Sequence, residues 1–531
     1  MGKLLYLCKQ KSKVSPEIHY NLNVKFMQYS DFQKAIFNEV ETGNSNLVIN
    51  AVAGSGKTTT IVECCKRLNC SPREVKFLAF NKSIVEELNT RIGEYAEVST
   101  MHSFALSVIK SVYNNRAKHK YVKVDNARWT KYIADAIFSL SDALSVDDDK
   151  RLVYKFRCNV LKTFNLARLN LVECDDTLGI LSIMAAYGIT PISDERKVVG
   201  KLLAQAYEMP SNLTIDFTDM LTITATTLCK HIPRYKYVFV DECQDLSKAQ
   251  QTIMLAAANG GKFIAVGDKR QAINGFCGAD AKSFDSIAEL PNTKVLPLSV
   301  NYRCGKKMIE LAQSIVPQIM PSDNAIAGVV TNADKIDLSM FRGGEMVLCR
   351  QCAPLVGLCL YLIKHGKLAT IKGNDLASEL KQMIISANCE SCDGLQEYAN
   401  KELSALSSFL INSYGLGKEE AKNTKPYMRL KDKCECILHL AKSANGNIKQ
   451  LIDSIFSEEK INNAIKLMTI HKAKGLESDR VIFLSPQLST KKPAKMQEWQ
   501  FEQEKNLQYV ALTRAKEELV LCSACEVDDD E

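Results

Sequence analysis

Short apolar runs alternate with amphipathic stretches through most of the 531-residue chain. Leu47-Val48-Ile49-Asn50 has strand length and ends in a glycine-rich turn; Val75–Phe80, Tyr237–Val240 and Phe263–Val266 repeat the pattern. Continuous apolar runs separated by helical periodicity suit a parallel sheet covered on both faces, whose strands are buried on both sides. Between 105 and 214 the spacing becomes helical, as in Trp129–Leu144 and Val198–Glu208, with an acidic loop at Asp147-Asp148-Asp149. After Asn301 the alternation resumes in Glu345–Leu348, Leu467–Ile470 and Val481–Leu484, interrupted by helix-like segments such as Leu376–Ile385 and Asp432–Lys442. The pattern predicts an α/β protein of two parallel-sheet units, each with a mainly helical insertion. The first unit takes 1–104 and 215–300 around an insertion at 105–214. The second takes 301–375 and 462–531 around a smaller insertion at 376–461, with an acidic tail expected to fray.

Composition narrows the class. Hydrophobic residues are 46% and charged residues 24%, ordinary globular usage that argues against a disordered chain, a collagen-like repeat or a coiled-coil rod. A formal charge of +7 permits a polyanionic partner without requiring one. The apolar runs are strand-sized, well short of the roughly 20 residues of a spanning helix. Met1-Gly2-Lys3-Leu4-Leu5-Tyr6 lacks the apolar length of a signal peptide and the hydroxyl residue that favours myristoylation, and Lys9–Lys13 reads as a solvated tail. Nineteen scattered cysteines, with Cys64 and Cys65 adjacent, suggest free thiols in a reducing, intracellular compartment; nucleus, cytoplasm and a viral replication site are not distinguished. Cys349 and Cys522 end apolar runs and read as buried strand thiols. Cys389/Cys392, with Cys434 and Cys436 further on, leave a metal site open.

Two motifs carry candidate chemistry. Ala51-Val52-Ala53-Gly54-Ser55-Gly56-Lys57-Thr58 follows a predicted strand and precedes a predicted helix. Backbone N–H groups of such a loop face phosphate oxygens, and the helix adds the positive end of its dipole. Lys57 is expected to neutralise the β/γ-phosphates and the Thr58 hydroxyl to ligate Mg²⁺. The strict pattern has glycine where Ala51 stands. Val238-Phe239-Val240-Asp241-Glu242-Cys243-Gln244-Asp245 ends a buried strand in acids, placing carboxylates at the sheet edge where the phosphate loop lies. Asp241 is the expected magnesium-holding acid, and Glu242 the base that orients and deprotonates the attacking water.

With these in place the chain resembles the UvrD/Rep-like superfamily 1A DNA helicases, including the F-box DNA helicase core and short bacterial and viral members. Further motifs occur in that family's order. Gln33 in Tyr29-Ser30-Asp31-Phe32-Gln33 matches the adenine-reading glutamine. Ala79-Phe80-Asn81-Lys82 and Ser99-Thr100-Met101-His102-Ser103 match segments that contact single-stranded DNA. Asp241-Glu242-Cys243-Gln244-Asp245 has the DExQD form of the 3′→5′ branch. Val266-Gly267-Asp268-Lys269-Arg270-Gln271 matches a coupling motif in which Gln271 senses the γ-phosphate and Phe276 stacks on a base. Asn301-Tyr302-Arg303 matches an adenine-stacking tyrosine and a γ-phosphate arginine. In Thr469-Ile470-His471-Lys472-Ala473-Lys474-Gly475-Leu476-Glu477 the resemblance points Thr469 and His471 to DNA and Glu477 to the ribose. Glu504 and Tyr509-Val510-Ala511-Leu512-Thr513-Arg514-Ala515 match the last motif, with Arg514 as second arginine finger.

The resemblance implies two RecA-like P-loop domains with ATP and Mg²⁺ bound between them. It implies Ala53, Gly54, Ser55, Gly56, Lys57, Thr58 and Thr59 around the phosphates, and Phe80, Asn81, His102, Phe276, Thr469 and His471 along the DNA. The expected activity is ATP-driven 3′→5′ movement on single strands and unwinding of 3′-tailed duplexes in repair, recombination or replication, with replication or recombination proteins as possible partners. Many relatives carry an aromatic where Asn274 stands and an arginine where Cys277 stands, which predicts a weaker grip on DNA. A translocase that strips proteins from single strands is therefore an alternative; a non-catalytic DNA-binding scaffold is another.

Overall fold

The computed structural model describes residues 28–79, 81–115, 118–145, 148, 150–189, 191–273, 283–414, 417–444, 447–456, 463–485 and 498–525. The expectations placed on Phe80, Asn274, Phe276, Cys277, most of the acidic loop at 147–149, the N-terminal tail and the acidic end lie outside them.

Two six-stranded parallel sheets organise the chain. The first is built from β1 (Asn46–Ala51), β2 (Val75–Ala79), β3 (Glu97–Thr100), β4 (Tyr237–Val240), β5 (Lys262–Gly267) and β6 (Thr293–Leu298), in the order β3-β2-β4-β5-β1-β6. Its central strands are continuous apolar runs because helices cover both faces: Val48 and Val240 join one buried cluster, Leu47, Ile49 and Phe239 the other. The second is built from β7 (Val329–Ala333), β8 (Met346–Cys349), β9 (Ala369–Ile371), β10 (Ile465–Thr469), β11 (Ser478–Leu484) and β12 (Ala515–Cys522), in the order β7-β12-β11-β8-β10-β9. Every neighbouring pair in both sheets is parallel. Register places Asn50 opposite Gly267 and Val240 opposite Ala265, so the loops after β1, β4 and β5 leave the sheet at one edge.

The insertions differ in how they attach. The first contributes helices Arg128–Leu140, Lys150–Leu169, Thr177–Ala186 and Glu195–Ala206, with a core of its own that includes Trp129, Ile133, Phe156, Phe164 and Leu202. Its expected start at 105 falls inside helix Met101–Tyr113, whose Phe104, Ala105, Val108 and Ile109 pack under the first sheet. The second insertion, including helices Asn374–Ala387, Cys392–Tyr414 and Lys425–Ser443, shares one core with its sheet: Leu380, Leu395 and Ile437 pack in the same cluster as Val347, Leu355 and Ile482. The expected 375/376 boundary likewise lies within the helix Asn374–Ala387. Cys434 and Cys436 are buried on Lys425–Ser443. Among the described residues no three His, Cys, Asp or Glu side chains are grouped to hold a metal ion.

Candidate active site in the cleft between the two sheets

The loop after β1 turns twice through the left-handed region, at Gly54 (φ +65°) and Gly56 (φ +76°). A side chain at Gly54 would strike Asn301 and Arg303, whereas a Cβ at Gly56 would meet nothing within 4 Å. Helix Lys57–Arg67 begins at Gly56 without a side-chain cap. Its first-turn N–H groups are the kind of donors an anion satisfies. Ser55 is fully buried, yet its hydroxyl has no partner among the described residues. An open cradle, an orphaned hydroxyl and an uncapped helix start together fit a phosphate chain. Thr58 and Thr59 lie half-buried on the helix's first turn.

Three carboxylates face Lys57. Its ammonium stands 3.5 Å from Glu242 Oε1. Burial works against the charge on Lys57, but Glu242, Asp268 and Asp241 outweigh it and raise its pKa. Asp241 and Glu242 follow β4, with Glu242 in the left-handed region at φ +53°. Burial, reinforced by the charge of Glu242, pushes Asp241 up to about 7. Burial acts on Glu242 in the same sense, but Lys57 and Lys474 overcome it and hold this carboxylate down to about 2. The pKa values of the adjacent acids are thus driven apart, Asp241 binding a proton near neutrality and Glu242 kept ionised. Gln244 joins the groups: its amide N–H donates to Glu242 and its carbonyl accepts from the backbone N–H of Asp268 at 3.1 Å. Gln271 donates to Asp268 Oδ2 at 2.8 Å.

Residues of the second unit close the cleft. Asn301 donates to the Ala53 carbonyl at 2.7 Å, and the Tyr302 N–H to the Gly54 carbonyl at 2.9 Å. The Tyr302 ring is 46% exposed and available for stacking. Arg303 donates from Nε to Glu477 Oε2 at 2.7 Å and from Nη1 to the Thr513 carbonyl at 3.3 Å. Glu477 also pairs with Lys516 at 3.2 Å, so the expected ribose contact is engaged by two cations here. Arg514 is buried, held by the Val510 and Leu476 carbonyls at 2.8 and 2.9 Å; burial and the neighbouring Arg303 lower it to about 10. Its charge also opposes that of Lys57. The crevice therefore gathers Lys57, Asp241, Glu242, Gln271, Arg303 and Arg514 around the phosphate loop.

Other expected residues sit at its margin. Gln33 forms a capping box with Ser30 and donates to Thr60 Oγ1 at 3.1 Å, so both ends of its amide are already engaged beside the phosphate-loop helix. The pairing of Ala79 with Thr100 carries Asn81 and His102 to one edge of the first sheet. Asn81 caps helix Lys82–Ile92, accepting from the Ile84 N–H at 2.9 Å. His102 packs edge-to-face on Phe217 with centroids 5.9 Å apart. Phe217 is 52% exposed, and no sequence signal had singled it out. Thr469 ends β10, with His471 two residues on; both are half-buried.

Four side chains inside the motif strings make contacts of their own in the crevice. Asp268 accepts from Gln271. Tyr509 accepts the Ala53 N–H at 2.8 Å. Asn301 tethers the phosphate loop. Lys474 reaches across the crevice to Asp245 and to the Gln271 carbonyl, the latter at 2.8 Å. Their signal was position inside the motif strings; what they touch depends on how the sheets dock.

The family model for the UvrD/REP helicase N-terminal domain matches residues 32–291, and that for the UvrD-like helicase C-terminal domain matches residues 378–526. The chain is similar to F-box DNA helicase protein 1 of Schizosaccharomyces pombe, 24% identical over 506 residues that cover 90% of this chain and 55% of that protein. It is also similar to ATP-dependent DNA helicase PcrA of Staphylococcus epidermidis, 27% identical over 307 residues, 52% of this chain and 38% of that one. The Staphylococcus aureus PcrA is 26% identical over the same length. The chain thus spans about half or less of the length of these relatives.

Proposed function

The chain belongs to the UvrD/REP helicase family, and from that premise we propose that it hydrolyses ATP to move 3′→5′ along single-stranded DNA and to unwind 3′-tailed duplexes. The observation that carries this reading is the crevice itself: Lys57, Asp241 and Glu242 gather beside the phosphate loop, while from the second unit Arg303 packs against Gly54 and Arg514 lies near enough for its charge to oppose that of Lys57. The polarity follows the branch whose DExQD form Asp241–Asp245 shares.

ATP would lie with its phosphates over Gly54–Thr58 and its base against Tyr302. Thr58 and Asp241 would hold a magnesium ion, which neutralises phosphate charge during transfer. Glu242, kept ionised by Lys57 and Lys474, orients a water and takes its proton as the water oxygen bonds to the γ-phosphorus. The bond from that phosphorus to the β–γ bridging oxygen breaks, giving ADP and inorganic phosphate. Lys57, Arg303 and Arg514 stabilise the charge that spreads over the phosphoryl oxygens. Since the arginines and Lys57 belong to different sheets, nucleotide occupancy and cleft closure favour one another. Movement follows if Asn81 and His102 on one sheet and Thr469 and His471 on the other hold the strand, because opening then changes their separation. Contacts of this kind read backbone and base faces, with little sequence preference and marked salt dependence.

The test measures ATPase activity and strand separation on duplexes with 3′ or 5′ tails, for the parent and for Lys57→Ala. DNA-stimulated hydrolysis, unwinding from 3′ tails and loss of both in the variant are expected. A parent with no DNA-stimulated hydrolysis refutes the reading; unwinding from 5′ tails alone refutes its polarity.

A further inference from the structure

A cavity of about 350 Å³ opens where the first insertion joins the first unit. It lies between the start of helix Arg128–Leu140 and the short strand Thr214–Ile215, which pairs in parallel with Lys123–Val124. That volume is in the roughly 300–1,000 Å³ range of small-ligand sites. Two aromatic side chains line it. Trp129 is a fixed wall, since its ring is buried and its indole N–H is bound to Asp219 at 3.0 Å. Tyr132 packs edge-to-face on Trp129 with centroids 5.6 Å apart, yet is 38% exposed. The tyrosine is thus held at one side and open at the other.

The polar groups around it keep unused donors. Arg128 donates from Nη1 to Asp219 at 2.5 Å, with its guanidinium 4.4 Å from the Trp129 ring centroid; its other N–H groups bond to nothing among the described residues. The Gln205 amide and the Asn212 amide N–H₂ are likewise unengaged there. Lys131 pairs with Asp125 at 2.9 Å, both side chains exposed, a contact of little weight. Between 118 and 132 the chain carries Lys118, Lys120, Lys123, Arg128 and Lys131 against Asp125 alone. Such a basic stretch favours a polyanion, and an open aromatic face beside cations is what a base and its phosphate require. The cavity also continues a surface already described. The Phe217 N–H donates to Asn126 Oδ1 at 3.2 Å, next to Asp125 in the cavity wall, and the exposed Phe217 ring packs on His102.

We propose that this cavity is a nucleotide pocket at the root of the first insertion: it takes one base of the single strand, stacked on Tyr132, with the adjoining phosphate at Arg128 and Lys131. This deepens the function proposed above and rests on it. The Gln205 and Asn212 amides offer donors and acceptors to any base edge, so the pocket tolerates sequence. A strand passing His102 and Phe217 then runs onto the insertion.

The experiment measures binding of labelled oligo(dT) of increasing length by anisotropy, at several salt concentrations, for the parent, Tyr132→Ala and Lys131→Gln. The parent's affinity should climb with each nucleotide that finds a contact. Tyr132→Ala is expected to lose about fivefold or more in affinity for long oligomers while binding the shortest ones like the parent. Lys131→Gln should weaken the long oligomers and reduce the salt slope by about 1. Both side chains are exposed, so neither substitution empties a core; if Tyr132→Ala does not fold, Lys131→Gln carries the test. Irradiation of long oligomers that carry 5-bromouracil should attach them to Tyr132 or Trp129, read by peptide mass spectrometry. Parent-like affinity of both variants at every length overturns the proposal. So does a loss that is equal at all lengths, which marks a structural defect, and so do crosslinks confined to other residues. A parent that binds no oligo(dT) instead removes the reading on which the pocket rests.

Discussion

Asp219 ties three side chains of the first helical insertion to the first unit. It lies in the first turn of helix Phe217–Ala225, packed beneath the first sheet, and is completely buried. It accepts from Arg168 Nη1 at 2.6 Å, Arg128 Nη1 at 2.5 Å, the Trp129 indole N–H at 3.0 Å and the Asp216 backbone N–H at 2.9 Å. Three of these donors belong to insertion side chains. Asp219→Ala strands them unequally. Arg128 is partly exposed and can turn to water. Arg168 is fully buried and keeps only Asp216 and Asn165. The Trp129 indole loses its acceptor. Leaving a buried charge short of its partner costs about 3–5 kcal/mol, here near the lower end because Asp216 remains. An orphaned indole N–H adds about 1–3 kcal/mol. Since neighbouring losses do not simply add, the expected destabilisation is about 4 kcal/mol, a shift of roughly a thousandfold in the unfolding equilibrium.

The assay is urea unfolding followed by Trp129 emission, with Trp499→Phe removing the second tryptophan. Burial outweighs the pull of Arg168 and raises the pKa of Asp219, so the intact cluster is no bargain against apolar packing; breaking half of it is what hurts. Arg168→Met/Asp219→Leu should therefore be less destabilised than Asp219→Ala alone, with Asp216 retaining its backbone N–H from Asp219. A loss below about 1 kcal/mol in Asp219→Ala, or a double variant worse than the sum of its singles, refutes this reasoning.

Lys57→Ala is expected to lower kcat by about a hundredfold or more while retaining oligo(dT) affinity within about threefold; ATP turnover like the parent's would show that the loop after β1 is not the phosphate site. Glu242→Gln should cut single-turnover hydrolysis by about 10²–10⁴-fold with nucleotide still bound, and unchanged turnover would reassign the base. Arg303→Ala should cost about 10³–10⁵-fold in kcat, measured at saturating oligo(dT). A carboxyl held up near 7, as Asp241 is by burial and then by Glu242, is protonated below that pH and must lose its proton to hold a cation. Apparent affinity for Mg–ATP should therefore weaken as pH falls from about 8 to about 6, by up to tenfold per unit; an affinity flat across that interval, read by titration calorimetry, counts against Asp241 as the metal-holding acid.

The strands legible from apolar runs alone are the buried ones. Tyr237–Val240 coincides with β4, Phe263–Val266 falls inside β5, and Val481–Leu484 falls inside β11. Four strands without such a run are β3, β6, β7 and β9, and these are the four sheet edges. An edge strand carries polar residues on its open side, as Glu97–Thr100 and Val329–Ala333 do, so no continuous run marks it. The site was legible for a different reason. The phosphate loop and the acids after β4 are local strings whose backbone context appears in the flanking residues. Gln33 and Glu477 were named by resemblance, but their engagement with Thr60 and with Arg303 and Lys516 depends on packing between distant segments. Lys474 was written inside a motif, and only the docked sheets bring it to Asp245.

The division of the core constrains where the molecule can bend. Among the described residues the second insertion shares its interior with its sheet: withdrawing it would expose Leu395 and Leu440 together with Leu355 and Leu358, several side chains worth about 1.5–3 kcal/mol each. It therefore travels with the second sheet. Contacts across the crevice are of another kind. Arg270 to Glu502, Gln503 to the Ile273 carbonyl and Asn506 to the Ala272 carbonyl are polar and partly accessible, and water can replace such partners at modest net cost; Lys474 to Asp245 is polar too, but buried. Apolar packing crosses there through Val52, Ala53 and Ile273 against Tyr509 and its neighbours. A hinge between the sheets thus breaks few apolar contacts and several exchangeable polar ones, at the place where Ala53 donates to Tyr509 and Tyr302 donates to Gly54. Of these groups the Ala53 N–H is the donor that phosphate oxygens entering the loop could claim, so nucleotide binding would compete with Tyr509 for an atom that also joins the two sheets.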